Sequence, residues 1–207
     1  MYWGAKGEDF KEDQTSKIMG MTDKDEKVEL VNNRIYFYSG VSENSILMLN
    51  KNVQSLVIKA KIHAAHNDMS LQHSGSCFVN IQSFGGSIFA GLSGMDTILE
   101  ARDVIPVNTI VDGCAASAAT FLSIVGTRRY IRRNSYMLIH QLSSSMWGKY
   151  AEIKDEVTNL DLLMDSIRNM YGTYTKVPKN EIDKILKKDL WWDAKTCKKY
   201  GLCDEIL

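Results

Sequence analysis

Residues 107–126 read VNTIVDGCAASAATFLSIVG, and this stretch predicts a strand-to-helix turn built around one serine. Its first five residues are rich in β-branched types, which predicts a short buried strand over 107–111. Its second half is apolar and predicts a buried helix over 118–125 that ends at Gly126. Ser117 would lie between the two, with backbone N–H groups and the positive end of a helix beside its hydroxyl.

Length and composition limit the class of protein. The 207 residues suffice for one substantial domain with its own core. Basic and acidic residues balance at 25 each, which favours neither nucleic acid nor an anionic membrane as a partner. No apolar run is long enough to span a bilayer, and the charged N-terminus is unlike a secretory signal. The four cysteines lack zinc-site spacing, and reduced thiols in a cytoplasmic protein are favoured over a Cys197–Cys203 disulfide.

Strands and helices alternate along the chain and predict an α/β layered domain. The charged residues 1–30 are expected to form a mobile arm, and 31–207 a single domain. A long helix from about 150 to 171 carries an apolar stripe in steps of three and four, suited to a core or an oligomer interface. The other elements predicted before that helix are strands at 35–38 and 78–81, helices at 46–64 and 89–101, and a hairpin-like strand pair at 130–131 and 136–139.

Ser117 becomes a nucleophile only if a base accepts its proton and a third group orients that base. Among the four histidines, only His140 directly follows an apolar strand, in MLIHQ, where a strand end can direct an imidazole into a cleft. Asp189 in KKDLWW has large apolar neighbours that could shield a carboxylate, although spacing alone does not select it over Asp183 or Asp193. The residues therefore predict a Ser-His-Asp arrangement with the acidic member left open.

The stretch SFGGS at 83–87 offers donors for the oxyanion that forms when a serine attacks a carbonyl. Gly85 and Gly86 lie between a predicted strand and a predicted helix, where a backbone without Cβ atoms can approach a ligand closely. The N–H group of Ala118, directly after the candidate nucleophile, is a natural second donor. A glycine pair alone is usually only a turn, so its weight here comes from the serine turn nearby in sequence.

Several spaced motifs in one order resemble the family of Clp protease proteolytic subunits, the ClpP family, over residues 34–207. These motifs are the GGS turn at 85–87, the GCAAS block that ends at Ser117, IRRNSYMLIHQ around His140, and KYGLCDEIL near the end. The resemblance implies a ClpP/crotonase-like spiral of ββα units with a handle over about 143–171.

The family's pattern also implies the roles of individual residues. It selects Asp189 as the third member of the triad and assigns the oxyanion hole to the N–H groups of Gly86 and Ala118. The lining of the substrate groove is expected to include Gly148, where small residues leave room for a peptide to pair as an added strand. The other implied lining residues are Gly85, Gln141 and Leu142.

The implied function is that of a serine endopeptidase that hydrolyses unfolded protein or peptide substrates. The resemblance implies a heptameric ring, stacked through the long helix into a tetradecamer that encloses a chamber. No metal or organic cofactor is needed for this chemistry. ATP would be used by a partner, a Clp AAA+ ATPase, because the chain contains no GxxxxGK[ST] phosphate loop.

The chain departs from the family's pattern at several positions. Phe84 and Leu142 stand where the family usually has proline, and Lys187 and Lys188 stand where it has an acidic residue and an arginine that pair between rings. Two like charges cannot form that pair. These departures indicate a divergent member, viral or organellar, located in a host cytoplasm or an organelle stroma. The alternative functions are a weakly active or inactive ring subunit that modulates a host ClpP, and a viral capsid-maturation protease on the same fold.

Overall fold

The computed structural model describes residues 27–207 apart from residues 69 and 74. These residues form a mixed sheet whose strands are connected mainly by helices, so the predicted α/β class is confirmed. In chain order, the eight strands of this described part are β1 (Lys27–Val31), β2 (Arg34–Tyr38), β3 (Cys77–Ser83), β4 (Val107–Ala116), β5 (Arg128–Ile131), β6 (Tyr136–Leu138), β7 (Trp192–Asp193) and β8 (Glu205–Ile206).

The same described part contains six helices. The predicted apolar stripe near the start of the domain is buried on the first of them, which begins at a capping box formed by Ser42 and Ser45. The six helices are α1 (Glu43–Asn67), α2 (Ile88–Arg102), α3 (Ala119–Ser123), α4 (Tyr150–Tyr174), α5 (Ile182–Leu186) and α6 (Ala194–Lys199). A 3₁₀ turn spans Leu71–His73, between α1 and β3.

The strand β4 is the centre of the sheet and is twice as long as the sequence pattern predicted. It spans ten residues, and its first half pairs in parallel with β3 and β5. Its second half, Cys114–Ala116, pairs in parallel with β6. The predicted hairpin of 130–131 with 136–139 is therefore wrong: β5 and β6 each pair with β4. A turn closed by the bond from the Ser135 N–H group to the Arg132 carbonyl moves the chain from one register on β4 to the next.

The predicted boundary of the N-terminal arm at residue 30 needs correction. Residues 1–26 lie outside the described residues, but Lys27–Val31 is strand β1, paired antiparallel with β2. The two strands are joined at Asn32 and Asn33, and Asn32 has a φ of 56°. Asparagine tolerates this left-handed conformation better than most residues, so the pair NN before the predicted strand at 35–38 was a usable hairpin signal.

The helices α1, α2 and α3 form a layer that supports the end of β4. A Cβ atom added to Gly94 on α2 would lie 2.7 Å from Leu122 Cδ2 and 3.0 Å from Ile46 Cδ1. The small residue thus allows α2 to approach both neighbours closely. Leu122 is fully buried directly after the serine turn, so the core determines where that turn sits.

A polar network crosses the sheet where β4 leaves its first set of partners. The Asp112 carboxylate accepts hydrogen bonds from Tyr38 Oη at 2.7 Å and from Asn80 Nδ2 at 2.9 Å. It also pairs with Arg132 Nε. Burial tends to raise the pKa of Asp112, but the hydrogen bonds from these three side chains outweigh burial and lower it. The network therefore joins neighbouring strands just before the serine turn.

The variant Asp112→Asn should lower the free energy of unfolding at pH 7 by about 1–3 kcal/mol, because a charged acceptor is lost. Since the folded-state pKa is lowered, this contribution is present above the unfolded-state value of about 3.9 and is lost as the pH falls through the folded-state value. Urea unfolding at several pH values should show the difference shrinking below about pH 4. The exposed Asp161→Asn is the control, and a difference for Asp112→Asn that is independent of pH would contradict the prediction.

Candidate active site

Ser117 occupies a strained turn between β4 and α3. Its φ is 54°, in the left-handed region that costs a residue with a side chain about 1–2 kcal/mol. Its N–H group donates to the Leu138 carbonyl at 2.9 Å, and its own carbonyl accepts from the Thr120 N–H group at 3.0 Å. The predicted strand-to-helix turn is thus present, and hydrogen bonds on both sides of Ser117 hold its unusual conformation.

The glycine pair after β3 packs directly against the serine turn. Gly85 and Gly86 have φ angles of 94° and 147°. Val41 holds the pair from both sides, since its N–H group donates to the Gly85 carbonyl and its carbonyl accepts from the Ser87 N–H group, each at 2.8 Å. A Cβ atom on Gly85 would lie 2.6 Å from Ser117 Cβ. Two stretches far apart in sequence are therefore in contact, and only glycine fits between them.

His140 and Asp189 are hydrogen bonded to each other. The distance from His140 Nδ1 to Asp189 Oδ1 is 2.9 Å. His140 follows β6, and Asp189 lies in the irregular segment between α5 and β7. A bond of 2.7 Å from the Gln141 N–H group to the Leu186 carbonyl lies on one side of this contact, and the antiparallel β6–β7 pairing lies on the other. Backbone contacts thus bring the two segments together.

The expectation that apolar neighbours shield Asp189 is wrong in the single chain. Its side chain is 78% exposed, whereas that of His140 is 26% exposed. The neighbours Leu190 and Trp191 are themselves exposed, because Trp191 turns toward Phe84, with ring centroids 6.2 Å apart in an edge-to-face arrangement. In the single chain, Asp189 therefore forms its hydrogen bond to His140 while its carboxylate remains exposed to solvent.

The two aspartates that spacing could not exclude are engaged elsewhere. Asp183 accepts a hydrogen bond from Arg168 Nε. Asp193 caps α6 by accepting from the Thr196 N–H group at 2.8 Å. Neither contact involves an imidazole, so the geometry separates Asp189 from both alternatives.

Ser117 and His140 line one cavity of about 320 Å³. Its lining combines polar groups, at Gly86, Ser87, Gln141 and Ser143, with apolar side chains. A peptide side chain could therefore enter the apolar part while its backbone met the polar part. The apolar and small lining residues are Ile88, Ala118, Phe121, Leu142, Ile167 and Tyr171.

The residues expected to line a substrate groove fall into two groups. Gln141 and Leu142 line the cavity, and Gly85 lies against Ser117. Gly148 is instead placed at the start of α4, where a Cβ atom would lie 2.7 Å from Glu152 Oε2. It is absent from the lining of this cavity among the described residues. The segment 143–149 forms no strand in the single chain.

Two contacts of the serine turn escaped the sequence analysis. The Thr120 hydroxyl lies 2.6 Å from the Ser117 carbonyl oxygen and 2.7 Å from Tyr171 Oη. The sequence pattern places residue 171 only at the end of the predicted long helix, with no role at the serine turn. A threonine within the apolar run AATFL was the one available signal, because a buried hydroxyl needs a partner.

The cysteines offer no competing nucleophile near the serine turn. All four are free thiols. Burial raises the pKa of the Cys114 thiol, the closest to Ser117 in sequence, which keeps it protonated and unreactive. The described residues contain no group of three or more His, Cys, Asp or Glu side chains that could hold a metal ion. They also contain no helix with the length and apolar character needed to cross a membrane.

Comparison with known proteins places most of the chain in one family. A model of the Clp protease family matches residues 29–207, which is most of the chain. The chain therefore belongs to the Clp protease family, as its spaced motifs predicted.

Relatives in Streptomyces carry names from the same family. The ATP-dependent Clp protease proteolytic subunit 3 of Streptomyces coelicolor is 34% identical over 136 residues, 64% of this chain and 60% of that protein. Proteolytic subunit 1 of Streptomyces avermitilis is 32% identical over 131 residues, 61% of this chain and 58% of that protein. Proteolytic subunit 1 of Streptomyces coelicolor is 33% identical over 132 residues, with similar coverage. The matched region spans about three fifths of each relative's length.

The variant Gly85→Ala should lower the free energy of unfolding by about 2 kcal/mol or more, because a Cβ atom at φ 94° would overlap the Ala116 carbonyl and Ser117 Cβ. Gly40→Ala is the matched control, since the nearest atom to its Cβ position is 3.8 Å away. Urea unfolding measures both, and equal stability of the two variants would show that the glycine turn does not pack as described.

Proposed function

We propose that this chain is the serine endopeptidase subunit of a self-compartmentalising Clp-type protease. The observation that carries the proposal is the His140–Asp189 hydrogen bond at the edge of the cavity that Ser117 lines. A nucleophile, a base and an orienting carboxylate are the three groups that serine acyl transfer requires. The family membership supports the same reaction class.

In the proposed reaction, Ser117 Oγ attacks the scissile carbonyl carbon while His140 Nε2 takes the hydroxyl proton. The Asp189 carboxylate accepts a hydrogen bond from the His140 Nδ1–H group, which fixes the tautomer and stabilises the imidazolium. The N–H groups of Gly86 and Ala118 stabilise the oxyanion. The intermediate collapses to an acyl-enzyme as His140 returns the proton to the leaving amine. A water molecule, activated by His140, then releases the second product and restores Ser117.

The shape of the cavity supports a peptide as the substrate. Gln141 and Leu142 line its wall after β6, where an extended peptide could lie against the Gln141 amide and the apolar Leu142 side chain. An extended segment must be unfolded to enter, which suits unfolded proteins and peptides as substrates. The relatives are named as ATP-dependent, and we propose that a Clp AAA+ ATPase supplies that step.

We further propose that the subunits assemble into heptameric rings that stack through α4. Support comes from the N-terminal half of α4, where Tyr150, Val157 and Leu162 are 83%, 50% and 70% exposed. Apolar side chains at this density on one projecting helix favour a covering partner copy. Lys187 and Lys188 are also exposed, and these positive charges would repel the same residues of a partner copy wherever the two pairs meet across such an interface.

The two alternative functions gain no support from the comparisons. The relatives are named as proteolytic subunits of Clp protease, which favours neither an inactive scaffold nor a capsid-maturation protease. The hydrogen bond between His140 and Asp189 also favours retained chemistry.

Ser117→Ala should abolish labelling by a fluorophosphonate and the hydrolysis of unstructured peptides, because the attacking oxygen is removed. Asp189→Asn should lower peptide hydrolysis by about a thousandfold or more, because the amide cannot hold the required imidazole tautomer. Active-site labelling and a fluorogenic peptide assay measure the two effects.

The matched control is Asp193→Asn, which changes the same chemistry four residues away and preserves the helix cap. Its peptide hydrolysis should stay within about twofold of wild type, a difference of under 0.5 kcal/mol. Labelling that persists in Ser117→Ala, or equal losses in Asp189→Asn and Asp193→Asn, would refute the proposed triad.

Val157→Glu should reduce the mass of the assembly by disrupting the proposed ring stacking, because a charge replaces an exposed apolar contact on α4. Light scattering after size exclusion measures the mass. Exposed Thr158→Glu is the neighbouring control. A wild type that is monomeric, or a variant of unchanged mass, would contradict stacking through α4.

A further inference from the structure

The carbonyl of Ser117 is held by a chain of hydrogen bonds that reaches α4. The carbonyl oxygen accepts from the Thr120 N–H group at 3.0 Å and from Thr120 Oγ1 at 2.6 Å. Thr120 Oγ1 in turn lies 2.7 Å from Tyr171 Oη. Thr120 and Tyr171 are 0% and 1% exposed, so these contacts are shielded from water.

The direction of each hydrogen bond follows from the number of protons. The Thr120 hydroxyl has one proton, which it donates to the Ser117 carbonyl. Thr120 Oγ1 must therefore accept the hydrogen bond that Tyr171 Oη donates. Burial raises the pKa of Tyr171, so the phenol keeps the proton that this arrangement requires.

The peptide unit that carries this carbonyl also carries the N–H group of Ala118. A peptide unit is planar, and its C=O and N–H bonds point in opposite directions. Holding the Ser117 carbonyl on one side therefore fixes the direction of the Ala118 N–H group on the other. A hydrogen bond to the carbonyl also polarises the unit and strengthens its N–H group as a donor.

We propose that Thr120 and Tyr171 are positioning residues that orient the Ala118 N–H group toward the oxyanion, an inference that rests on the proposed peptidase function. The left-handed φ of Ser117 makes such support necessary, because the strained turn would otherwise relax toward a common conformation. Relaxation rotates the 117–118 peptide unit and moves the donor off the oxyanion.

The location of Tyr171 extends the inference to α4. The same helix carries exposed apolar residues at its N-terminal half and packs Ile167, Met170 and Tyr171 into the core at its C-terminal half. The Tyr171 hydroxyl, which donates to Thr120, therefore depends on how the C-terminal half of α4 packs against the core.

The test compares peptide hydrolysis by the wild-type protein with hydrolysis by variants that remove or keep the Thr120 and Tyr171 hydroxyls. Thr120→Val keeps the branched shape and the backbone N–H donor but removes the hydroxyl donor to Ser117, so kcat should fall at least tenfold with little change in KM. Thr120→Ser keeps the hydroxyl and should recover most of that rate. Tyr171→Phe should lower kcat about threefold to tenfold, because it removes the hydrogen bond that Thr120 Oγ1 accepts. An oxyanion donor acts only in the transition state, which is why kcat carries the effect.

The double variant Thr120→Val/Tyr171→Phe should be no slower than Thr120→Val alone, because Tyr171 acts through Thr120. Tyr174→Phe is the control on the same helix. The ring remains, and the Tyr174 hydroxyl is not part of the hydrogen bonds that link Tyr171, Thr120 and Ser117. Circular dichroism checks that each variant folds, and Tyr171→Phe and Thr120→Ser keep the test decisive if Thr120→Val does not.

The failures of the two proposals are distinguishable. A wild type without Ser117-dependent hydrolysis overturns the proposed function, and this inference with it. Wild-type hydrolysis that survives in Thr120→Val, a loss confined to KM, or an additive double variant overturns the positioning role alone.

Discussion

The backbone of Ser117 is the constraint on which the rest of the site depends. A residue with a side chain is held at a φ of 54°, a conformation that is intrinsically unfavourable. Its N–H group donates to Leu138 at the end of β6, and its carbonyl accepts from Thr120 in α3. The sheet and the helix layer must both be complete before these partners are in place. The local sequence thus predicts the turn, but its strained conformation depends on the whole domain.

The other half of the site depends on backbone pairing in the same way. His140 and Asp189 are 49 residues apart, and the carboxylate is 78% exposed. Packing around the side chain therefore does not place it. The bond between Gln141 and Leu186 and the pairing of β6 with β7 bring the two segments together. A carboxylate this exposed is sensitive to whatever covers it in an assembly.

Periodicity predicted the long, regular elements well and misjudged the sheet's connections. The apolar stripes of α1 and α4 were visible because helical spacing repeats over many residues. The strands β5 and β6 looked like a hairpin because they are short and adjacent in sequence. They pair instead with β4, whose length allows two partners in a row. Strand pairing is a long-range choice that local pattern does not carry.

The sequence by itself determined the α/β class, the strand-to-helix turn at Ser117, the glycine pair, and the family, because each is recorded in local residue types or spaced motifs. The residues alone left Asp183 and Asp193 open as alternatives to Asp189, and the family resemblance selected Asp189. Only the tertiary structure showed that Asp189 meets His140 and that its carboxylate is exposed. It also decided that Tyr171 and Thr120 meet behind the serine, across 51 residues of chain. Such contacts arise from how helices and strands pack. They are determined by side chains throughout the core and not by the residues next to them in sequence.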